Sequence, residues 1–212
     1  MTSGQPRTAS DPRPNILFIM SDDHASNAIS AYGGILAGVA PTPNLDRIAN
    51  NGLRMDNCFC TNSICTPSRA TILTGQHSHV NQVRTLSQSL PDQARLLPEI
   101  LQEQGYQTAI FGKWHLHCRP RGFDRWAVLP GQGLYFDPVF LYPGPDQVPP
   151  GAQSLNVQDL PVYEQPDARG CAIAREPGYV TDLITDKTLD WLKNRDEDRP
   201  FFLCCHHKAP HD

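Results

Sequence analysis

The chain reads as an α/β domain whose mixed, mainly parallel sheet is sandwiched by helices, and three observations carry that reading. Continuous apolar runs recur at residues 15–20, 106–111 and 200–205, and such runs suit parallel strands covered on both faces. Helical patterns precede the second and third runs, as crossover connections between parallel strands require. Each run ends in charged or imidazole side chains, and ligands of open α/β sheets bind beyond the carboxyl ends of the strands.

Composition sets the outer limits. A chain of 212 residues can form one domain with a sizeable core, and 19% charged and 39% hydrophobic residues are ordinary globular values. The formal net charge of -4 provides no basic field, which argues against a nucleic-acid partner. No apolar run approaches the roughly 20 residues that cross a bilayer, so no membrane association is expected. Residues 1–14 are polar and rich in Pro, Ser and Thr, are expected to be disordered, and lack the pattern of a secretory signal. Seven cysteines, with Cys204 and Cys205 adjacent, disfavour a complete disulfide framework. As the sequence stands the expected location is cytoplasmic, or periplasmic or secreted if the true start differs.

The elements follow in order. The run at residues 15–20 is the first strand, and Ser21-Asp22-Asp23-His24 stand at its end. Two adjacent carboxylates there repel each other unless a cation or a cluster of donors lies between them, and hard cations prefer such oxygens. The plainer alternative is a solvated turn with a helix N-cap. Residues 43–50 read as a short helix stopped by Gly52, with Leu45, Ile48 and Ala49 on one face. Residues 53–60 read as a strand leading into the loop before Cys65.

Cys65-Thr66-Pro67-Ser68-Arg69 then opens a helix, because Pro67 fits the first turn, where its missing N–H costs nothing. Cys65 therefore lies where free backbone N–H groups favour an anion, with Arg69 one turn on. A buried structural thiol is the alternative. Residues 92–104 read as an amphipathic helix stopped by Gly105, ahead of the second strand at 106–111. Beyond that strand, Lys113 and His115 are two apart in an expected extended segment, so both face one side. An ammonium and an imidazole aimed at one point suit sulfate or phosphate.

Residues 122–165 are loop-rich and punctuated by prolines, as in the walls of a substrate cleft. Gly131-Gln132-Gly133 is too short to be a nucleotide loop. Residues 179–194 return to helix, and the third strand at 200–205 delivers His206-His207-Lys208-Ala209-Pro210-His211. Packing is the expected role of His117, His206 and His207.

These motifs resemble a known family. Cys65-x-Pro67-Ser68-Arg69 followed by Leu73-Thr74-Gly75 resembles the signature of the type I, formylglycine-dependent sulfatases, of the alkaline phosphatase-like superfamily. Residues 15–23 resemble that family's first strand with its aspartate pair, Gly112-Lys113-Trp114-His115 its Gly-Lys-Trp-His segment, and Lys208-Ala209-Pro210-His211 its later histidine segment. Within the family, the chain looks closest to bacterial sugar sulfatases such as N-acetylglucosamine 6-O-sulfatase-like enzymes.

The resemblance implies a sulfuric ester hydrolase acting on a sulfated small molecule or glycan. Cys65 would be oxidised by a formylglycine-generating enzyme, and Asp22, Asp23 and position 65 would hold Ca2+, with Mg2+ also possible. One hydroxyl of the formylglycine hydrate would attack sulfur. Arg69 would hold the hydrate, Lys113 would bind sulfate oxygens, His211 would protonate the leaving oxygen, and His115 would take the proton that expels sulfate. The family's remaining metal ligands and a further lysine belong to later motifs, and none occurs before Asp212. The expectation is therefore that residues 15–212 are the N-terminal part of a truncated catalytic domain, weakly active or inactive alone.

Two alternatives remain open. One is a phosphate or phosphonate ester hydrolase of the same fold. The other is a zinc-binding module using Cys204, Cys205, His206, His207 and His211, whose spacing lacks a Cys-x-x-Cys knuckle.

Overall fold

A computed structural model describes residues 13–212; the expected disordered segment at 1–14 falls almost wholly outside them. Strands β1 (Ile16–Asp22), β2 (Gln107–Lys113), β3 (Arg125–Leu129), β4 (Val139–Tyr142), β5 (Gln153–Leu155), β6 (Ala172–Arg175) and β7 (Phe201–Pro210) form one sheet. Its spatial order is β1-β7-β2-β3-β4-β6-β5. Pairing is parallel from β1 through β7 and β2 to β3, and antiparallel from β3 through β4 and β6 to β5. The helices are α1 (Pro43–Asn51), α2 (Cys65–Thr74), α3 (Ser78–Asn81), α4 (Leu97–Glu103) and α5 (Val180–Asn194).

The period of two along each strand divides the core between the two faces of the sheet. Ile110 of β2, Trp126 and Val128 of β3, and Phe202 and Cys204 of β7 pack with Ala70 and Leu73 of α2. Ala109, Phe111, Leu203 and Cys205 pack on the opposite face with Val180 and Ile184 of α5. Each fully buried aliphatic side chain, such as Ile110 or Leu203, contributes roughly 1.5–3 kcal/mol relative to exposure. The same alternation sends Cys204 and Cys205 to opposite faces, so they cannot share one zinc ion. Burial also pushes the Cys204 thiol up to about 12.

Several expectations need correction. The continuous apolar run predicts a β1 covered on both faces, but it is an edge strand whose Leu17 and Ile19 are 46% and 57% exposed. Only Ile16 and Phe18 join a core, while α5 packs mainly over β7 and β2. Residues 53–60 form no strand: they are exposed and irregular, with no apolar face buried against the rest of the chain. The helix expected at 92–104 is shorter, since Leu97–Glu103 follows a turn; Pro98 sits in its first turn and Glu99 accepts from the Leu96 N–H. The loop-rich stretch at 122–165 contains β3, β4 and β5, which lie in or adjoin the antiparallel half of the sheet. Their length of three to five residues hid them among the prolines.

Candidate oxyanion site at the carboxyl edge of the sheet

Two strand ends on either side of β7 and one helix start converge. β1 ends at Asp22, β2 ends at Lys113, and α2 begins at Cys65. The extended Ile64 leads into α2, Pro67 occupies its first turn, and Gly75 closes it in the left-handed conformation at φ 67°. The Cys65 thiol lies 3.7 Å from Asp22 Oδ1, and Lys113 Nζ lies 3.5 Å from Cys65 Sγ. Lys113 also forms an ion pair with Asp22 Oδ2 while fully buried, and donates to Gln132 Oε1. Arg69, one turn along α2, donates to the Lys113 carbonyl oxygen at 2.6 Å and reaches Asp22 Oδ2 at 3.4 Å.

Burial alone would raise the Asp22 carboxyl, but the Lys113 hydrogen bond and the Arg69 and Lys113 charges outweigh it and hold it below its ordinary value. Burial drives the Arg69 guanidinium down, opposed by Asp22 and Cys65. His115 is pushed down to about 4, first by burial and then by the Lys113 charge, so it is a neutral imidazole at pH 7.

His115 does not continue the strand. Its φ of 51° places it in the left-handed region, past the end of β2. The extended alternation expected to pair it with Lys113 is therefore absent, although the turn still keeps it near Lys113, Arg69 and Asp22. His211 follows β7, and its Nε2 stands 3.5 Å from Asp23 Oδ2. Among the described residues, Asp22, Cys65 and His211 form the group able to converge on a metal ion, with donor atoms within 4.8 Å of one another.

Other residues of the site were not foreseen. Gln132 is held between two glycines in positive-φ conformations and supplies the oxygen on Lys113. Buried His206 does more than pack: its Nδ1 lies 3.3 Å from both Arg69 Nη1 and the Lys113 carbonyl oxygen. Burial, then the Arg69 charge, lowers it to about 3 and keeps it neutral. Lys208 is buried with its ammonium 4.4 Å from the centre of the Tyr135 ring, and Tyr135 donates to the His211 carbonyl oxygen. Parity along β7 was a usable signal for His206, because it falls on the same face as Phe202 and Cys204, the face that α2 covers.

A sheet that delivers carboxylates, buried cations and imidazoles to a cysteine at a helix start defines an α/β protein with a candidate oxyanion site at its strand ends. The sulfatase family profile matches residues 14–212, and the chain belongs to that family. It is 43% identical over 209 residues to the N-acetylglucosamine-6-O-sulfatase of Bacteroides thetaiotaomicron, covering 97% of this chain and 32% of that protein. It is 31% identical over 216 residues to human N-acetylgalactosamine-6-sulfatase, covering 90% of this chain and 38% of that one. A solved structure of a protein in complex with its substrate D-glucosamine-2-N,6-O-disulfate superposes with a TM-score of 0.77 at 43% identity, covering 94% of this chain and 35% of the other. The chain spans about a third of the length of these relatives.

Proposed function

We propose that the chain carries the sulfate-binding centre of a formylglycine-dependent sulfatase that hydrolyses the 6-O-sulfate of a glucosamine-type sugar. The observation that carries this reading is the cluster of Cys65 Sγ, Lys113 Nζ and the Asp22 carboxylate, within 3.5 and 3.7 Å of the sulfur, at the start of α2. Its substrate class is supported by the relatives, one named for N-acetylglucosamine 6-O-sulfate hydrolysis and one solved with a 6-O-sulfated glucosamine.

Position 65 is the substrate of a formylglycine-generating enzyme. Asp22 fits a hard cation in kind, since among the described residues its Oδ1 has only the weakly donating thiol as partner; Asp23, an exposed carboxylate outside the converging group, faces His211 Nε2 and would have to turn toward the ion. They would hold calcium, or magnesium, together with position 65. The ion would polarise sulfate oxygens, and the hydrate of the aldehyde would supply the nucleophile.

The chain's own residues do the rest. Lys113 and Arg69 present buried positive charge to the sulfate, which strengthens both interactions in the low-dielectric interior. His211 donates a proton to the departing alcohol oxygen from Nε2, the nitrogen that faces the Asp23 carboxylate. His115, neutral at pH 7, accepts the proton whose removal releases sulfate.

The test compares N-acetylglucosamine 6-sulfate with the matched 6-phosphate, using calcium and protein converted at position 65. Turnover by this chain is expected to be slow, because two carboxylates supply only part of the roughly 6–8 oxygens that calcium takes. The readout is therefore the ratio: sulfate release at least about tenfold faster than phosphate release, which corresponds to about 1.4 kcal/mol of discrimination, and abolished in Cys65→Ala. A preference for the phosphate ester would overturn the assignment.

A further inference from the structure

One buried cation at the strand ends has no part in the proposed reaction. Lys208 is 4% exposed. β7 lies between β1 and β2 in the sheet, so its end reaches the gap between Asp22 and Lys113. His206 pairs with Met20 and with Gly112, and Pro210 pairs with Asp22; between the two pairings to β1, β7 has two more residues than its partner. Lys208 is the middle residue of that bulge, and bulges beside active sites re-aim a side chain. Its ammonium lies 4.4 Å from the centre of the Tyr135 ring and donates to the Asp212 backbone oxygen at 3.0 Å.

We propose that Lys208 is a further substrate-binding residue, whose ammonium joins Lys113 and Arg69 in holding the sulfate group of the ester. The other buried cations of the site have a carboxylate: Lys113 pairs with Asp22 Oδ2, and Arg69 reaches the same oxygen at 3.4 Å. Among the described residues, the lysines paired to carboxylates are Lys113 and Lys187, and Lys208 is not one of them. One ring face and one backbone oxygen replace only part of the hydration that an ammonium loses on burial. A tetrahedral oxyanion supplies the missing partner. The platform under the ammonium is fixed, since Tyr135 donates to the His211 carbonyl oxygen and stacks on Tyr179 with ring centroids 6.0 Å apart. The charge is therefore preorganised for a ligand rather than free to swing into water.

The charges acting on Lys208 are those of the site. Burial, then the Lys113 charge, lowers its ammonium below the ordinary lysine value, opposed by Asp22, Asp212 and Cys65. An anion bound beside both lysines relieves their mutual repulsion. A cation kept for a ligand rather than for the fold is costly while the ligand is absent. Lys208→Met removes the charge and keeps an unbranched chain of similar length. It should therefore melt no lower than wild type without sulfate, yet bind sulfate more weakly. An anchor of the fold would give the opposite pair of results.

The inference rests on the sulfate-binding centre proposed above, and the experiment separates the two without turnover. The full chain, 15N-labelled, with Cys65 unconverted and calcium present, is titrated with sodium sulfate at constant ionic strength. The samples are wild type, Lys208→Met, Lys113→Met and Lys193→Met. Lys193 is exposed in the last turn of α5 and controls for the loss of one positive charge. Saturable amide shifts at residues 65–69 should give wild type and Lys193→Met the same dissociation constant. Lys208→Met should bind at least about tenfold more weakly, as expected for losing a hydrogen bond between charged groups. Melting in the same buffer without sulfate should place Lys208→Met no lower than wild type. Binding lost in Lys113→Met but kept within about twofold in Lys208→Met would overturn this inference and leave the centre standing. No saturable binding by wild type would overturn both. A Lys208→Met chain that melts well below wild type, or does not fold, would make Lys208 an anchor of the fold and overturn the inference as well.

Discussion

Replacing Asp22 by asparagine is expected to lower the melting temperature of the chain by about 10 °C in the absence of divalent metal. The reason is electrostatic. Lys113 is fully buried and Arg69 is 4% exposed, and the Asp22 carboxylate is the anion that both of them reach. The isosteric amide leaves the volume unchanged but removes the compensating charge from two buried cations, which costs about 3–5 kcal/mol. A second substitution makes the prediction specific. In Asp22→Asn/Lys113→Met the uncompensated ammonium is gone, and an unbranched apolar chain of similar length fills its place. The double variant should therefore melt above the single one, even though it carries one more change. Melting of Asp22→Asn within a degree or so of wild type would show that the ion pair is not holding these charges.

Gly112→Ala is expected to cost more, to the point that little folded chain is recovered. Gly112 has φ 107°, and a Cβ built there would lie 1.9 Å from the His206 carbonyl oxygen, on the strand it pairs with. Neither atom can move without opening the β2–β7 ladder, one residue before Lys113 and at the residue that contacts Arg69. Gly75→Ala is the control. Gly75 also has a positive φ, 67°, but nothing lies within 4 Å of a Cβ built on it, so only the conformational cost of about 1–2 kcal/mol applies. Denaturant unfolding of the two variants separates strain from collision. Equal losses would mean that the close approach at Gly112 is relieved cheaply.

Particular residues show which parts of this architecture local sequence can express. β1, β2 and β7 were legible because each is a run of apolar residues long enough to stand out, and their order along the chain placed Asp22, Lys113 and the His206–His211 segment at strand ends. The edge position of β1 was not legible: Ile16 to Met20 would have the same composition in the middle of a sheet, and exposure of Leu17 and Ile19 depends on which elements pack beside them. β3 to β5 were lost because strands of three to five residues between prolines carry too few alternations to read. At the site, Cys65 and Arg69 are one helical turn apart, a relation that sequence states directly. Gln132 and Tyr135 reach Lys113 and His211 from 19 and 76 residues away, and no spacing rule announces such contacts. The left-handed turn at His115 was hidden for a different reason: positive φ is unexpected for histidine, and only the enclosing contacts impose it.

Everything proposed for the site rests on Cys65 as the precursor of the nucleophile, placed by α2 against Asp22 and Lys113. Fragment-ion mass spectrometry of the tryptic peptide spanning residues 55–69, after expression with a formylglycine-generating enzyme, is the decisive measurement. The peptide also contains Cys58 and Cys60, both exposed, so fragmentation must localise the change. The expected result is an aldehyde at position 65, with Cys58 and Cys60 unaltered. An unmodified thiol at 65, from cells whose maturation enzyme converts a control protein, would contradict it.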